Sequence, residues 1–401
     1  MHVVLINQFY PPAQVPTGVL LADLAQALCK RGHRVTVVTS RGEGGERPGD
    51  ELRETDGVTI CRTGPARRNR TGLPSKLADY VGFFRHAGRV VARLSPAPDV
   101  VLSMTTPPFC GMLARRLKIK RGIPYVLWCM DIYPEALVAN RSLRPQGLPA
   151  RLLQRCARQE RTGAAAVITL GPDMSARVCS STPAARVVEV PVWSRLQPSP
   201  AACAAAAVLR CERGWMDSDV VLMYSGNMGR AHTIARFAEL ARNVGAGRPR
   251  MRFVMCGSGP AAAGWKKAGG TAFEWLAPVG ADEVAAHLLA ADIHLISQQQ
   301  DWAAVVVPSK YQAACALGRP VLFDGPADSS VARWIRKGAT GWVLTDGDMD
   351  LPVPLLTALQ DRAQVAAKGG NAYEQGQCLF IADHNVIRIA EILEQAIFPS
   401  L

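Results

Sequence analysis

Short runs of Val, Ile and Leu recur along this chain, each followed by a stretch of helical period, and the series runs through once and then restarts. Runs so apolar and so little alternating read as strands buried on both faces. Strands separated by helices must pair in parallel through crossovers. The pattern therefore specifies an α/β fold built of doubly wound sheets. In the first half, residues 3–6, 35–39, 100–102, 125–128 and 167–170 read as strands, and residues 17–31 read as a helix closed by Gly32. Residues 220–224, 252–256, 293–296 and 321–323 supply the second set.

The 401 residues exceed what one core holds, since cores stop growing near ~250–300 residues. The reading is a domain over 1–195, a second over 196–380, and a helix within 381–401 that packs on or between them. Residues 196–207, with Pro198, Pro200 and an alanine run, read as a linker or surface segment. Ligands of such sheets bind beyond the carboxyl ends of the strands, so two sheets face to face are expected to enclose a central cleft.

Charge is divided unequally. Residues 1–195 hold 28 Lys and Arg against 14 Asp and Glu, whereas residues 196–401 hold 18 against 19. Such a field suits a polyanion: a membrane surface, a pyrophosphate-linked substrate or nucleic acid. An arginine-rich composition bias is the alternative. The basic residues are not interleaved with aromatics as a nucleic-acid stacking platform requires, so nucleic acid is not the expected partner. Residues 76–94 read as an amphipathic helix with an Arg85, Arg89, Arg93 stripe, preceded by Arg67-Arg68-Asn69-Arg70. It either rests on an anionic bilayer or packs on its own sheet with its charges solvated.

The 11 cysteines are odd in number and lack a C-x-x-C pair, so reduced thiols and no zinc site are expected. No basic region precedes the first apolar run, and no stretch approaches eighteen apolar residues. A cytoplasmic protein is the expectation.

Candidate chemistry falls after strands. Ser225-Gly226-Asn227-Met228-Gly229-Arg230 follows the first strand of the second half, with glycines for close approach and an arginine fork, a combination suited to a diphosphate or simply to a tight turn. Gly257-Ser258-Gly259-Pro260 follows the next strand but does not continue as a dinucleotide fingerprint. Pro308-Ser309-Lys310 opens a helix that ends before Gly318-Arg319-Pro320; it serves as an anion site or an ordinary helix start. In the first half, Asp131 and Glu135 follow the strand at 125–128, where a carboxylate either orients an acceptor hydroxyl or caps a turn. Thr17-Gly18 and Thr105-Thr106-Pro107-Pro108 are placed along the same rim.

In order and spacing, these pieces resemble a GT-B glycosyltransferase of the GT4 type, close to enzymes of bacterial O-antigen, capsule or exopolysaccharide assembly. The resemblance runs from Asn7-Gln8-Phe9-Tyr10-Pro11-Pro12 and Gly32-His33-Arg34-Val35, through Asp131-Ile132-Tyr133-Pro134-Glu135, to Pro308-Ser309-Lys310 and Gly318. It implies a nucleotide-sugar donor, with UDP the expected nucleotide, and an acceptor such as a polyprenyl-diphosphate glycan at the cytoplasmic membrane face. It also implies transfer with retention and neither cofactor nor bound metal. Donor contacts carried over are Gly18, Gly226, Asn227, Gly229, Arg230, His232, Gly257, Gly259, Trp275, Leu276, Pro308, Ser309 and Lys310. Arg230 and Lys310 would stabilise the leaving diphosphate. Thr17, Thr105, Asp131 and Glu135 fall on the acceptor side, with Asp131 in a catalytic role.

Relatives of this type carry two glutamates where this chain has Val305 and Ala313, with Asp301 the nearest substitute, and a basic residue where it has His232. These departures keep other readings open: a soluble acceptor in natural-product biosynthesis, a pseudo-glycosyltransferase with a non-sugar donor, a nucleotide-sugar epimerase, or an inactive nucleotide-binding scaffold.

Overall fold

The computed structural model describes residues 1–13, 15–41, 51–64, 73–244, 250–344 and 353–398. Its contacts divide the chain into two compact units, residues 1–191 with 382–401, and residues 192–381.

Among the described residues, the first unit holds eight strands: β1 (His2–Ile6), β2 (Arg34–Ser40), β3 (Glu51–Thr55), β4 (Val58–Thr63), β5 (Val100–Met104), β6 (Tyr125–Trp128), β7 (Ala166–Thr169) and β8 (Val187–Glu189). They lie in the order β3-β4-β2-β1-β5-β6-β7-β8, parallel throughout except for the β3–β4 pair. All of β1, β5, β6 and β7 is buried, which is why their sequences are apolar without alternation. Each fully buried aliphatic side chain there stabilises the unit by roughly 1.5–3 kcal/mol. Helices cover both faces. Pro16–Lys30 and the terminal helix Ala382–Ile397 pack together on one face, where Glu394 pairs with Arg31 and His33 at 3.0 Å each.

The second unit holds β9 (Val220–Ser225), β10 (Met251–Cys256), β11 (Glu274–Leu276), β12 (Ile293–Ser297), β13 (Val321–Asp324) and β14 (Gly341–Leu344). Their order, β11-β10-β9-β12-β13-β14, is parallel throughout. This is the doubly wound order whose switch point lies between the first and fourth strands, here β9 and β12. Ligand-binding loops therefore belong after those strands.

Several elements depart from the sequence expectation. The segment read as a linker forms the helix Pro200–Glu212, because Ser199 accepts from the Ala202 amide as N-cap, Pro200 opens the first turn and alanine has the best helix propensity. The β3–β4 hairpin was not expected. It turns at Asp56-Gly57, both at positive φ, and its charged edge strand hides it from a search for apolar runs. Strands β8 and β14 escaped because they are short edges of half-buried character. The run Arg67-Arg68-Asn69-Arg70 lies outside the described residues.

Candidate active site

In the second unit, the loops after β9 and β10 are stitched together. The Gly226 amide donates to the Cys256 carbonyl at 3.0 Å, Met228 N to Ser258 O at 2.8 Å, and Ala261 N to Met228 O at 3.0 Å. Gly257 lies at φ 139°, and a Cβ there would collide with the Gly226 carbonyl. Gly259, at φ 148°, leaves 2.6 Å between an imagined Cβ and either Asn227 Oδ1 or Met228 O. Only glycine permits this double crossing of backbones, which presents Gly226 and Gly257 at one point.

Lys310 comes to that point from the start of the helix Lys310–Ala316. Its Nζ donates to the Tyr224 hydroxyl at 2.5 Å and the Asn227 carbonyl at 3.2 Å, and stands 4.1 Å from the centre of the Tyr224 ring. Tyr224 in turn donates to Asn227 O at 2.8 Å, and the edge of Trp265 holds its ring at a centroid separation of 5.1 Å. Burial lowers the Lys310 ammonium to about 7. Pro308 is buried and Ser309 exposed just ahead of it.

Arg230 is exposed on the same loop, and Gln299 braces the backbone around it. The Gln299 amide donates to the Ala231 carbonyl at 2.8 Å, and its side chain donates to the carbonyls of Arg230 and His232. His232 Nδ1 contacts the Ser297 carbonyl at 2.5 Å. A carbonyl only accepts, so Nδ1 carries the proton and Nε2 keeps its lone pair. Burial and then the nearby Lys310 charge lower His232 to about 4. A neutral ring with a free lone pair accepts from a hydroxyl and is a poor phosphate donor.

A cavity of about 220 Å³ opens beside Gly226, Gly257 and Lys310. Pro278 and Val279, two residues beyond the Trp275–Leu276 pair, line it. Trp275 packs with Phe273 and the core on one side of the sheet, and Leu276 with the core on the other. Ala313 contributes a methyl group to the wall, and Val305 is buried. Asp301 is exposed in the turn Gln300–Trp302. His294 also lines the cavity; its Nε2 is buried without a hydrogen-bond partner among the described residues, and burial lowers it to about 4.

The first unit gathers its own polar cluster after β6. Burial raises the Asp131 carboxyl to about 6, and a Tyr133 side-chain hydrogen bond opposes that rise. Thr105 is committed to this loop, its hydroxyl accepting from the amides of Met130 at 3.0 Å and Asp131 at 3.3 Å. Glu135 lies 3.9 Å from Arg161, and Arg161 donates to the Tyr133 carbonyl at 2.7 Å. Thr105 and Glu135 thus shape the Asp131 loop. Thr17 has a buried hydroxyl with no partner among the described residues. Gly18 allows its helix to meet the Phe9–Tyr10 backbone, 3.2 Å from where a Cβ would lie.

Tyr224, Ser297 and Gln299 were not among the sequence candidates. Their roles depend on which loops meet in space, and only the position of Tyr224 near a strand's carboxyl end gave any signal. Among the described residues, no three His, Cys, Asp or Glu side chains cluster to hold a metal ion.

Residues 17–193 match the glycosyl transferase 4-like domain family. A curated relative, "Probable glycosyltransferase WbjE" of Pseudomonas aeruginosa, is 24% identical over 304 residues, 74% of each chain. The chain is a glycosyltransferase of the GT-B fold. Sucrose-phosphate synthase from Thermosynechococcus elongatus superposes on this glycosyltransferase with a TM-score of 0.77 at 15% identity, over 100% of both chains. WaaG, a glycosyltransferase involved in lipopolysaccharide biosynthesis, gives 0.68 at 16% identity, over 98% of this chain and 99% of its own. An α,α-trehalose-phosphate synthase (UDP-forming) from Burkholderia xenovorans gives 0.67 at 12%, over 98% and 99%.

Proposed function

We propose that this glycosyltransferase takes a sugar from a nucleotide-sugar donor, with UDP as the nucleotide, and transfers it to an acceptor hydroxyl in cell-surface polysaccharide or glycolipid assembly. The observation that carries the donor reading is Lys310 Nζ held against Tyr224 and Asn227 O beside the crossed glycine loops. A diphosphate there meets an ammonium, the Arg230 loop and backbone that no Cβ shields. The nucleoside then enters the mostly apolar cavity at Pro278 and Val279. Negative charge grows on the diphosphate as the glycosidic bond breaks. Lys310 and Arg230 stabilise it without reorganising, in place of a metal ion. His232 Nε2 accepts from a sugar hydroxyl.

Asp131 orients the attacking hydroxyl; burial raises its carboxyl to about 6, in the direction that favours a group exchanging a proton near neutral pH. Retention at the anomeric carbon follows from the family resemblance. The basic first half favours a polyprenyl-diphosphate acceptor at the cytoplasmic membrane face. Among the described residues no helix is long and apolar enough to cross a membrane, so on this reading the enzyme reaches that acceptor from the surface.

The test is incubation of the pure protein with UDP-hexoses, with and without a polyprenyl-diphosphate-linked sugar, following UDP release and product mass. UDP release should require the acceptor, and the product should gain one hexose in the donor's anomeric configuration. Conversion of the UDP-sugar to an epimer without acceptor would sink the reading.

A further inference from the structure

The cavity beside Gly226, Gly257 and Lys310 lies on one face of the second sheet. On β12, His294 stands in register with Met223 of β9, so its side chain leaves the sheet on the same face as Met223. The helices Val284–Leu289 and Lys310–Ala316 contribute Val284, Leu288 and Ala313 to the cavity wall over that face, and His294 lines the cavity with them.

Apart from His294, the polar side chains of the lining are Ser225, Cys256 and Lys310. All three are engaged. Cys256 Sγ donates to the Ala277 carbonyl at 3.2 Å, the Ser225 hydroxyl bonds the Cys256 side chain, and Lys310 Nζ holds Tyr224 and Asn227. His294 differs. It is 5% exposed, and its Nε2 is the one buried side-chain nitrogen or oxygen of the lining with no hydrogen-bond partner among the described residues. Folded proteins pair nearly all their buried polar groups, so an orphan that faces a cavity points to a ligand atom.

Charge and position decide which atom. Burial lowers His294 to about 4, so the ring is neutral at neutral pH and offers a phosphate no charge. The base is too far away. Strand β11, which leads to Pro278 and Val279, lies three strand spacings from β12, about 14 Å and more than a pyrimidine spans. What remains of a nucleoside diphosphate is the ribose, joined to both of the other parts. Ala313 lies one helical turn beyond Lys310 on the same side of the helix, and both line the cavity. Its small side chain leaves room next to the diphosphate. A ribose hydroxyl both donates and accepts, so it satisfies Nε2 in either tautomer of the ring.

We propose that His294 Nε2 hydrogen-bonds a ribose hydroxyl of the donor and thereby selects ribose over the sugar lacking that hydroxyl. The proposal rests on the donor reading above and assigns one contact within it.

Affinities of the full chain for UDP, 2′-deoxy-UDP and 3′-deoxy-UDP are measured by calorimetry. The wild type should bind one of the two deoxy nucleotides about 10-fold more weakly than UDP, because losing the hydroxyl leaves Nε2 unpaired again. In His294→Phe that difference should vanish, with UDP falling to the level of the deoxy nucleotide. His294→Gln keeps a donor and an acceptor on its amide and should retain part of the difference; it carries the test if the Phe variant fails to fold.

A histidine with a merely structural role would, when replaced, weaken all three nucleotides alike, and that result would overturn the proposal. So would equal wild-type affinity for all three, which would mean that water alone meets Nε2, or full discrimination surviving in His294→Phe. UDP bound without discrimination at the ribose rejects the His294 contact alone. Failure of the wild type to bind UDP rejects the donor reading and the contact with it.

Discussion

Lys310 shows how a fold tunes one group. Its ammonium has three donors; two are spent on Tyr224 Oη and Asn227 O, so one remains for a ligand. Burial lowers it to about 7, so the cation is present below that pH and lost as pH rises through it. Affinity for UDP should therefore decline between pH 7 and 9 in the wild type, measured by calorimetry. It should stay flat in Lys310→Arg, whose guanidinium does not titrate there. Lys310→Ala should weaken UDP by about 10–100-fold, the worth of a charge-assisted bond at ~1.5–3 kcal/mol. Glu160 carries the opposite lesson. Burial raises its carboxyl to about 7, against the pull of Arg161 and the Gly111 amide. A folded-state value above the unfolded one gives stability that is full at low pH and lost as pH rises through about 7. Melting temperature should thus fall between pH 5 and 8 in the wild type relative to Glu160→Gln; parallel curves would contradict that.

Among elements, the crossed loops after β9 and β10 are the least tolerant of change. Gly257→Ala must displace the Gly226 carbonyl and adopt an unfavourable φ, at a cost of about 1–3 kcal/mol. Thermal denaturation should show that loss, and the variant should no longer be stabilised by UDP; a wild-type response would mean the loops do not shape the site. The glycines, Asn227 and Lys310 were legible in the sequence, because each needs a special residue at a fixed distance from a strand end. What joins them was not legible. Tyr224 reads as one more core aromatic, and Gln299 as one of three consecutive glutamines, until the backbones they brace are brought together. The helix Pro200–Glu212 escaped because prolines and alanines are shared by linkers and helix starts. The β3–β4 hairpin escaped because a charged edge strand carries no apolar run.

At the scale of the molecule, the rhythm of buried runs was enough to predict two doubly wound sheets, since parallel strands admit few other arrangements. The same rhythm explains how chains only 10–16% identical share this fold: burial constrains pattern and leaves residue identity free. Net charge was legible as an asymmetry between halves, but that fourteen basic residues fall on the helices of one sheet face required the helix order. The glutamates absent at Val305 and Ala313 show where pattern ends, because a cavity wall of alanine folds as well as one of glutamate and only a ligand registers the difference. The central claim, that the second unit grips a nucleoside diphosphate through Lys310 and the glycine loops, is tested most directly by a crystal structure with UDP. The claim predicts the diphosphate within hydrogen-bonding reach of Lys310 Nζ, and the uracil against Pro278 and Val279. UDP bound away from Lys310 and Gly226 would contradict it.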